Sequence, residues 1–147
     1  MKISARTRYG TRLMLALALN YDKGPFLLKD IAEQEEISEK YLGQIIIPLK
    51  AKGLVISFRG ASGGYSLSRP PQEITVKEIA EVLEGGLCLV ECVSNPKACQ
   101  QLSRCVTHKL WSELGENIAN SLNSVTLGDL VEEYSAKNGQ NSSMYNI

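Results

Sequence analysis

The sequence has a single histidine and a single tryptophan in 147 residues, and its formal net charge is zero. It contains no nucleophile motif, no paired carboxylates and no Gly-Lys-Ser/Thr phosphate loop, so it offers no visible enzyme machinery or small-molecule substrate site. It also lacks a long apolar run. The stretch from Leu13 to Leu19 is among the longest and is far too short to span a bilayer. The N-terminus MKISARTRYG has no apolar segment behind its charges and no small-residue cleavage site, so no signal peptide is expected and the chain is placed in the cytoplasm. Thiols are kept reduced there, which lowers the expectation of disulfides and raises that of a metal.

What is present is unevenly placed. Apolar residues make up 44 % and charged residues 22 %, as in an ordinary globular protein. Residues 1–70 carry eleven Lys/Arg against six Asp/Glu, and residues 71–147 carry five against ten. The basic first half points to an anionic partner. All four cysteines and the only histidine lie between Cys88 and His108, in CLVECVSNPKACQQLSRCVTH, a seventh of the chain. Thiolate and imidazole are the soft ligands of iron–sulfur clusters, zinc and copper. The turn signal Ser94-Asn95-Pro96 separates Cys92 from Cys99 and lets the loop fold onto one point.

Read in order, Ser4 is placed to cap a helix to about Asn20, on which Arg6, Arg8 and Arg12 cluster as candidate phosphate contacts. A second short helix covers Leu27 to Glu35. Ser38 is the expected N-cap of a third helix, with Tyr41, Leu42, Ile45, Ile46 and Leu49 apolar. These two short helices form a helix-turn-helix signature, whose second helix would present Ser38, Glu39, Lys40, Gly43 and Gln44 to the major groove. Pro48 is expected to break or kink that helix. Leu54–Phe58 and Tyr65–Ser68 read as strands around the glycine-rich turn Arg59–Gly64, a wing whose Arg59 suits the minor groove. Thr75 and Glu78 form a capping box for a helix to about Glu84. Leu110, Trp111, Leu114, Ile118 and Leu122 make an apolar stripe on a helix from about Cys105 to Asn123, and the simplest cover for it is the same helix of a second chain. Another capped helix is expected from Thr126 to Tyr134, then a tail.

The expected fold is therefore mainly α with a small β-hairpin wing: a winged helix-turn-helix domain over 1–70, a ligand loop and long dimerisation helix over 71–135, and a flexible tail over 136–147. The DNA-contacting set is Arg8, Ser38, Lys40, Tyr41 and Gln44 from the helices, with Arg59, Gly60 and Ser62 from the wing. The partners implied are double-stranded DNA and a second copy of the chain, with no membrane.

Several segments carry a resemblance. YG in the first helix, ISEKYLGQ, PLKAKGLV and RGASGGYSLSRP resemble the IscR/NsrR/CymR group of bacterial transcription regulators. CVTHKLWSEL and VTLGDLV are similar to the IscR-like members. The resemblance covers about residues 1–135. It implies a homodimeric winged-helix regulator with an iron–sulfur cluster, 2Fe–2S in preference to 4Fe–4S, that senses redox, iron or nitric oxide status. IscR-like proteins use Cys-x5-Cys-x5-Cys-x2-His. Cys92, Cys99, Cys105 and His108 match that order, with one extra residue between the first two. Cys88 has no counterpart there and stays open as a ligand, a redox partner or a small buried hydrophobe. NsrR-like members take an acidic ligand from the first helix, where this chain has Arg6 and Arg8. Gly43 stands where IscR has an acidic residue in the recognition helix. Two alternatives remain at this point, a winged-helix regulator with a structural zinc and an electron-transfer or cluster-carrier protein. The x6 and x5 spacings fit zinc poorly, and the basic half has no use in a carrier.

Overall fold

The computed structural model describes residues 1–145, and side chains to residue 141. The helix α1 (Ala5–Leu19) starts where the Ser4 hydroxyl accepts the Thr7 N–H at 3.1 Å. It buries Leu13, Met14 and Leu17 completely or nearly so. Next come α2 (Leu28–Glu35) and α3 (Glu39–Ala51). Leu42, Ile45, Ile46 and Leu49 are the buried face of α3, at the three- and four-residue spacing of one helix side. Each fully buried Leu or Ile is worth about 1.5–3 kcal/mol of transfer free energy.

Of the break or kink expected from sequence, the break does not occur, and α3 continues through Pro48. It lacks an N–H for the carbonyl of Gln44, but Gln44 is on the exposed face, where water can serve that carbonyl. Regular bonding resumes beyond it, with the Lys52 N–H on the Pro48 carbonyl at 3.0 Å.

The strands β1 (Val55–Phe58) and β2 (Gly64–Leu67) pair antiparallel, with Val55 opposite Leu67 and Phe58 opposite Gly64. Phe26 adds a third, one-residue rung: it exchanges both backbone hydrogen bonds with Tyr65, at 2.8 and 2.9 Å. Gly64 permits this close approach. A Cβ there would sit 2.5 Å from the Phe26 carbonyl oxygen, and its φ of +144° suits only glycine.

Beyond the wing, α4 (Val76–Glu84) begins with the expected capping box, the Glu78 carboxylate accepting the Thr75 N–H at 2.9 Å. A short turn of helix, α5 (Glu91–Ser94), and two 3-10 turns, Pro96–Ala98 and Leu102–Arg104, follow. The two long final helices are α6 (Val106–Asn123) and α7 (Leu127–Tyr145). A second capping box starts α7, with Asp129 accepting the Thr126 N–H at 2.9 Å. The two box threonines, Thr75 and Thr126, face each other across an isolated antiparallel bridge.

Residue 70 does not divide the core. Ile74, Ile79 and Leu83, together with Leu127 from α7, join Leu13, Leu17, Ile45 and Leu49 in one buried cluster. The expected flexible tail over 136–147 is also replaced over the described residues, because α7 runs past Tyr134 to Tyr145. No proline interrupts that stretch, and Lys137 pairs with Glu133 one turn before it, at 3.4 Å. Residues 146–147 lie outside the described residues.

Candidate nucleic-acid interface and thiol loop

The hydroxyl of Ser38 caps α3 by accepting the Tyr41 N–H at 3.3 Å. Lys40 and Gln44 then project one turn apart from the exposed face of α3, and Gly43 lies half-exposed between them. Arg59, Gly60 and Ser62 are exposed at the wing tip, which is closed by the Gly63 N–H on the Gly60 carbonyl at 3.0 Å. Tyr41 is half-buried and meets Tyr9 of α1 edge-on, with ring centroids 5.8 Å apart. Arg8 is exposed, its guanidinium 5.8 Å from the Tyr9 ring centroid. The sequence-derived DNA set thus lies on α1, α3 and the wing, with Tyr41 partly withdrawn into the α1–α3 contact.

Arg12 is the correction. It reaches across to α2, where its Nε contacts a Glu35 carboxylate oxygen at 2.8 Å and its terminal nitrogen donates to the Glu35 carbonyl at 2.6 Å. A cation on the last carbonyls of a helix is favourable, so Arg12 clamps α2 and is not a spare phosphate contact. Sequence reading missed this clamp and the Phe26 rung. The only available signal was Glu35 at a helix end, and a lone aromatic after Gly24-Pro25.

The thiol loop hangs between α4 and α6. Cys92 lies in α5, Cys99 follows the Pro96–Ala98 turn, and Cys105 is the N-cap of α6, with His108 in its first turn. All four are partly exposed, and all the cysteines are free thiols. Among the described residues, no three His, Cys, Asp or Glu side chains are gathered closely enough to hold a metal. The four candidates are therefore brought to one loop but not to one point. The donor chemistry still fits an iron–sulfur cluster: three reduced thiols and an imidazole on a segment without regular long elements. The hydroxyl of Thr107, and then the backbone N–H of His108 at the start of α6, hold the Cys105 thiol below its ordinary pKa. That favours the thiolate, the ligating form. Cys88 is exposed, its thiol donating to the Val90 carbonyl at 2.7 Å, so the reading of it as a buried hydrophobe falls.

The apolar stripe of α6 is divided. Ile118 and Leu122 turn toward the chain's own N-terminus and line a cavity of about 340 Å³ with Met1, Ile3, Leu87 and Cys88. Leu110, Trp111 and Leu114 are exposed, and no residue of α6 is buried.

A basic, winged helix-turn-helix body carrying this loop narrows the comparison with known proteins, and residues 3–133 match the model of the Rrf2 family, described as iron-dependent transcriptional regulators. The chain belongs to the Rrf2 family. It is 37 % identical over 135 residues to protein rrf2 of Nitratidesulfovibrio vulgaris, covering 92 % of this chain and 90 % of that one. It is 38 % identical over 131 residues to the transcriptional regulator IscR of Klebsiella pneumoniae, covering 89 % and 80 %. Among solved structures, CymR, the global cysteine regulator of B. subtilis, superposes with a TM-score of 0.75 at 39 % identity, covering 90 % of this chain and 98 % of that one. IscR of T. potens gives 0.74 at 38 %, covering 91 % and 88 %. As an Rrf2 protein the chain is a transcriptional regulator with a winged-helix fold, and not an enzyme. No helix among the described residues is long and apolar enough to cross a membrane.

Proposed function

We propose that this Rrf2 protein binds duplex DNA as a homodimer and that Cys92, Cys99, Cys105 and His108 hold an iron–sulfur cluster, 2Fe–2S in preference to 4Fe–4S, whose state changes operator affinity. The carrying observation is the route from the loop to the DNA face. Cys105 occupies the N-cap position of α6, α6 packs on α4, and α4 packs on both α1 and α3.

In this reading α3 enters the major groove with Ser38, Lys40 and Gln44 at the base edges, and Tyr41 lines the same contact. Arg8 meets phosphate, while Arg59, Gly60 and Ser62 track the minor groove. The exposed half of the α6 stripe, Leu110 and Leu114, supports a seam with a second copy. When bound, the cluster supplies a one-electron redox centre, and an imidazole ligand raises its potential over an all-thiolate site. The chain's own part is to hold that centre at the head of α6. Ordering the loop then biases how α6 sits on α4, and DNA affinity changes only by the difference between the two arrangements. Loss or alteration of the cluster by oxidant, iron shortage or nitric oxide is the input.

The test is anaerobic purification, a visible absorption spectrum, and operator titrations with and without the cluster. Bands of an iron–sulfur centre, with an affinity that changes on its removal, support the proposal. A colourless zinc protein overturns the cluster, and equal affinity in both states overturns the switch.

A further inference from the structure

Four of the five leucine and isoleucine side chains of α3 point inward and are sealed, but Ile47 is 66 % exposed. It lies three residues beyond Gln44 and seven beyond Lys40. At 100° per residue, Lys40, Gln44 and Ile47 therefore share the outward face. A single exposed aliphatic needs no explanation on an ordinary surface. This one lies on the face that the proposed reading gives to the groove. Gly43 occupies the turn before it, where an added Cβ would touch nothing nearer than a Leu28 methyl at 3.9 Å. The α3 backbone is consequently bare at Gly43, beside Gln44, and that turn can sit close to the base edges.

Ile47 has no donor or acceptor to offer a base. The thymine 5-methyl is the one apolar feature that base edges show in the major groove. Opposite cytosine or guanine, the same side chain would cover an N4 donor or an O6 acceptor without pairing it, which disfavours those bases. Seven residues of helix span about 10 Å, or about three base-pair steps from the pair that Lys40 reaches.

We infer that Ile47 is a specificity-determining residue that reads a thymine methyl in each half-site. This rests on the reading of α3 as the groove helix. The test starts from duplexes selected out of a random pool by the intact wild-type protein. Each thymine is then replaced singly by deoxyuracil, which removes only the methyl. At one position per half-site the replacement is expected to weaken wild-type binding about three- to fivefold, the scale of one buried methyl. Ile47→Ala should bind the parent duplex with a similar loss and be indifferent to that same replacement. Because Ile47 is exposed, this variant keeps its fold, which a thermal melt verifies. Wild-type binding that ignores every replacement, or an Ile47→Ala protein still sensitive to the same methyl, overturns the inference while leaving α3 in the groove. A wild-type protein that selects no sequence at all overturns both the inference and the groove reading.

Discussion

Glu84, the last residue of α4, accepts both the backbone N–H and the hydroxyl of Ser4, each at 2.8 Å. The contact spans eighty residues of sequence. It ties the residue before the thiol loop to the N-cap of α1, so the two ends of the DNA-binding body close on each other. The carboxylate also sits at the start of α1, where the helix dipole favours negative charge.

This contact predicts a pH effect. The hydroxyl of Thr7, then the hydroxyl and N–H of Ser4, hold the Glu84 carboxyl below its ordinary pKa. A lowered folded-state pKa means that stability is present above the unfolded value and is lost as pH falls through the folded one. Glu84→Gln should lower the melting temperature at neutral pH and flatten its fall between about pH 5 and 3. A carboxylate at an exposed helix start is worth about 0.3–1 kcal/mol. Parallel melting curves for both proteins across that range would show that Glu84 carries no such linkage.

Gly10 marks where α1, α3 and α4 meet. A Cβ there would lie 2.1 Å from a Leu83 methyl and 3.3 Å from Ile45. Gly10→Val should overpack this junction and cost about 1–3 kcal/mol, read as a lowered denaturant midpoint at unchanged m-value. An unshifted midpoint would mean that α4 yields freely, contrary to its place in the shared core.

Arg59 tests the wing. Its replacement by alanine should cost roughly 1–3 kcal/mol at a selected site. Wild-type affinity should fall steeply with salt as phosphate contacts release counterions. Unchanged affinity of Arg59→Ala would remove the minor-groove role.

The divided stripe refines the dimer prediction. Ile118 turns toward its own chain, so a charge there confounds folding with assembly. Leu114 is exposed in the single chain, and Leu114→Glu leaves the fold alone while placing an unpaired charge in the seam. Light scattering should find a monomer with an unaltered circular dichroism spectrum. A persistent dimer would place the interface elsewhere.

Helix starts were the most legible part of this fold in the sequence. Ser4, Ser38 and Thr75 cap the helices expected of them, because capping is a contact within four residues. The wing was equally plain, since its strands flank one glycine-rich turn. The Phe26 rung, the Arg12 clamp and the Ser4–Glu84 contact were not legible, as each joins elements whose packing no local pattern encodes. The continuity of α3 through Pro48 and the length of α7 were missed for the opposite reason: local breakers and polar composition were outweighed by the helix around them. In the site, the thiols and histidine were visible by type and order. Their placement along short turns, sharing one loop but no common point, was not, because such short elements carry no periodic pattern to read.

The ligand set gives the last prediction. Cys105 and His108 stand at the start of α6, while Cys92 lies in the single turn α5 and Cys99 follows the Pro96–Ala98 turn. Single alanine replacements at Cys92, Cys99, Cys105 and His108 should each lower iron and sulfide content after anaerobic purification. The loss should be greatest for the thiols, since thiolates carry most of the cluster's binding. Cys88→Ala is the control. Its thiol is exposed and engaged with the Val90 carbonyl, outside the Cys-x6-Cys-x5-Cys-x2-His series, so its protein should keep full iron. His108→Ala should also shift the visible spectrum of any residual cluster, because the ligand field at one iron changes. Full occupancy in His108→Ala together with loss in Cys88→Ala would exchange the imidazole for a fourth thiolate. The cluster would then be tied to the segment that follows α4, and α6 would contribute Cys105 alone.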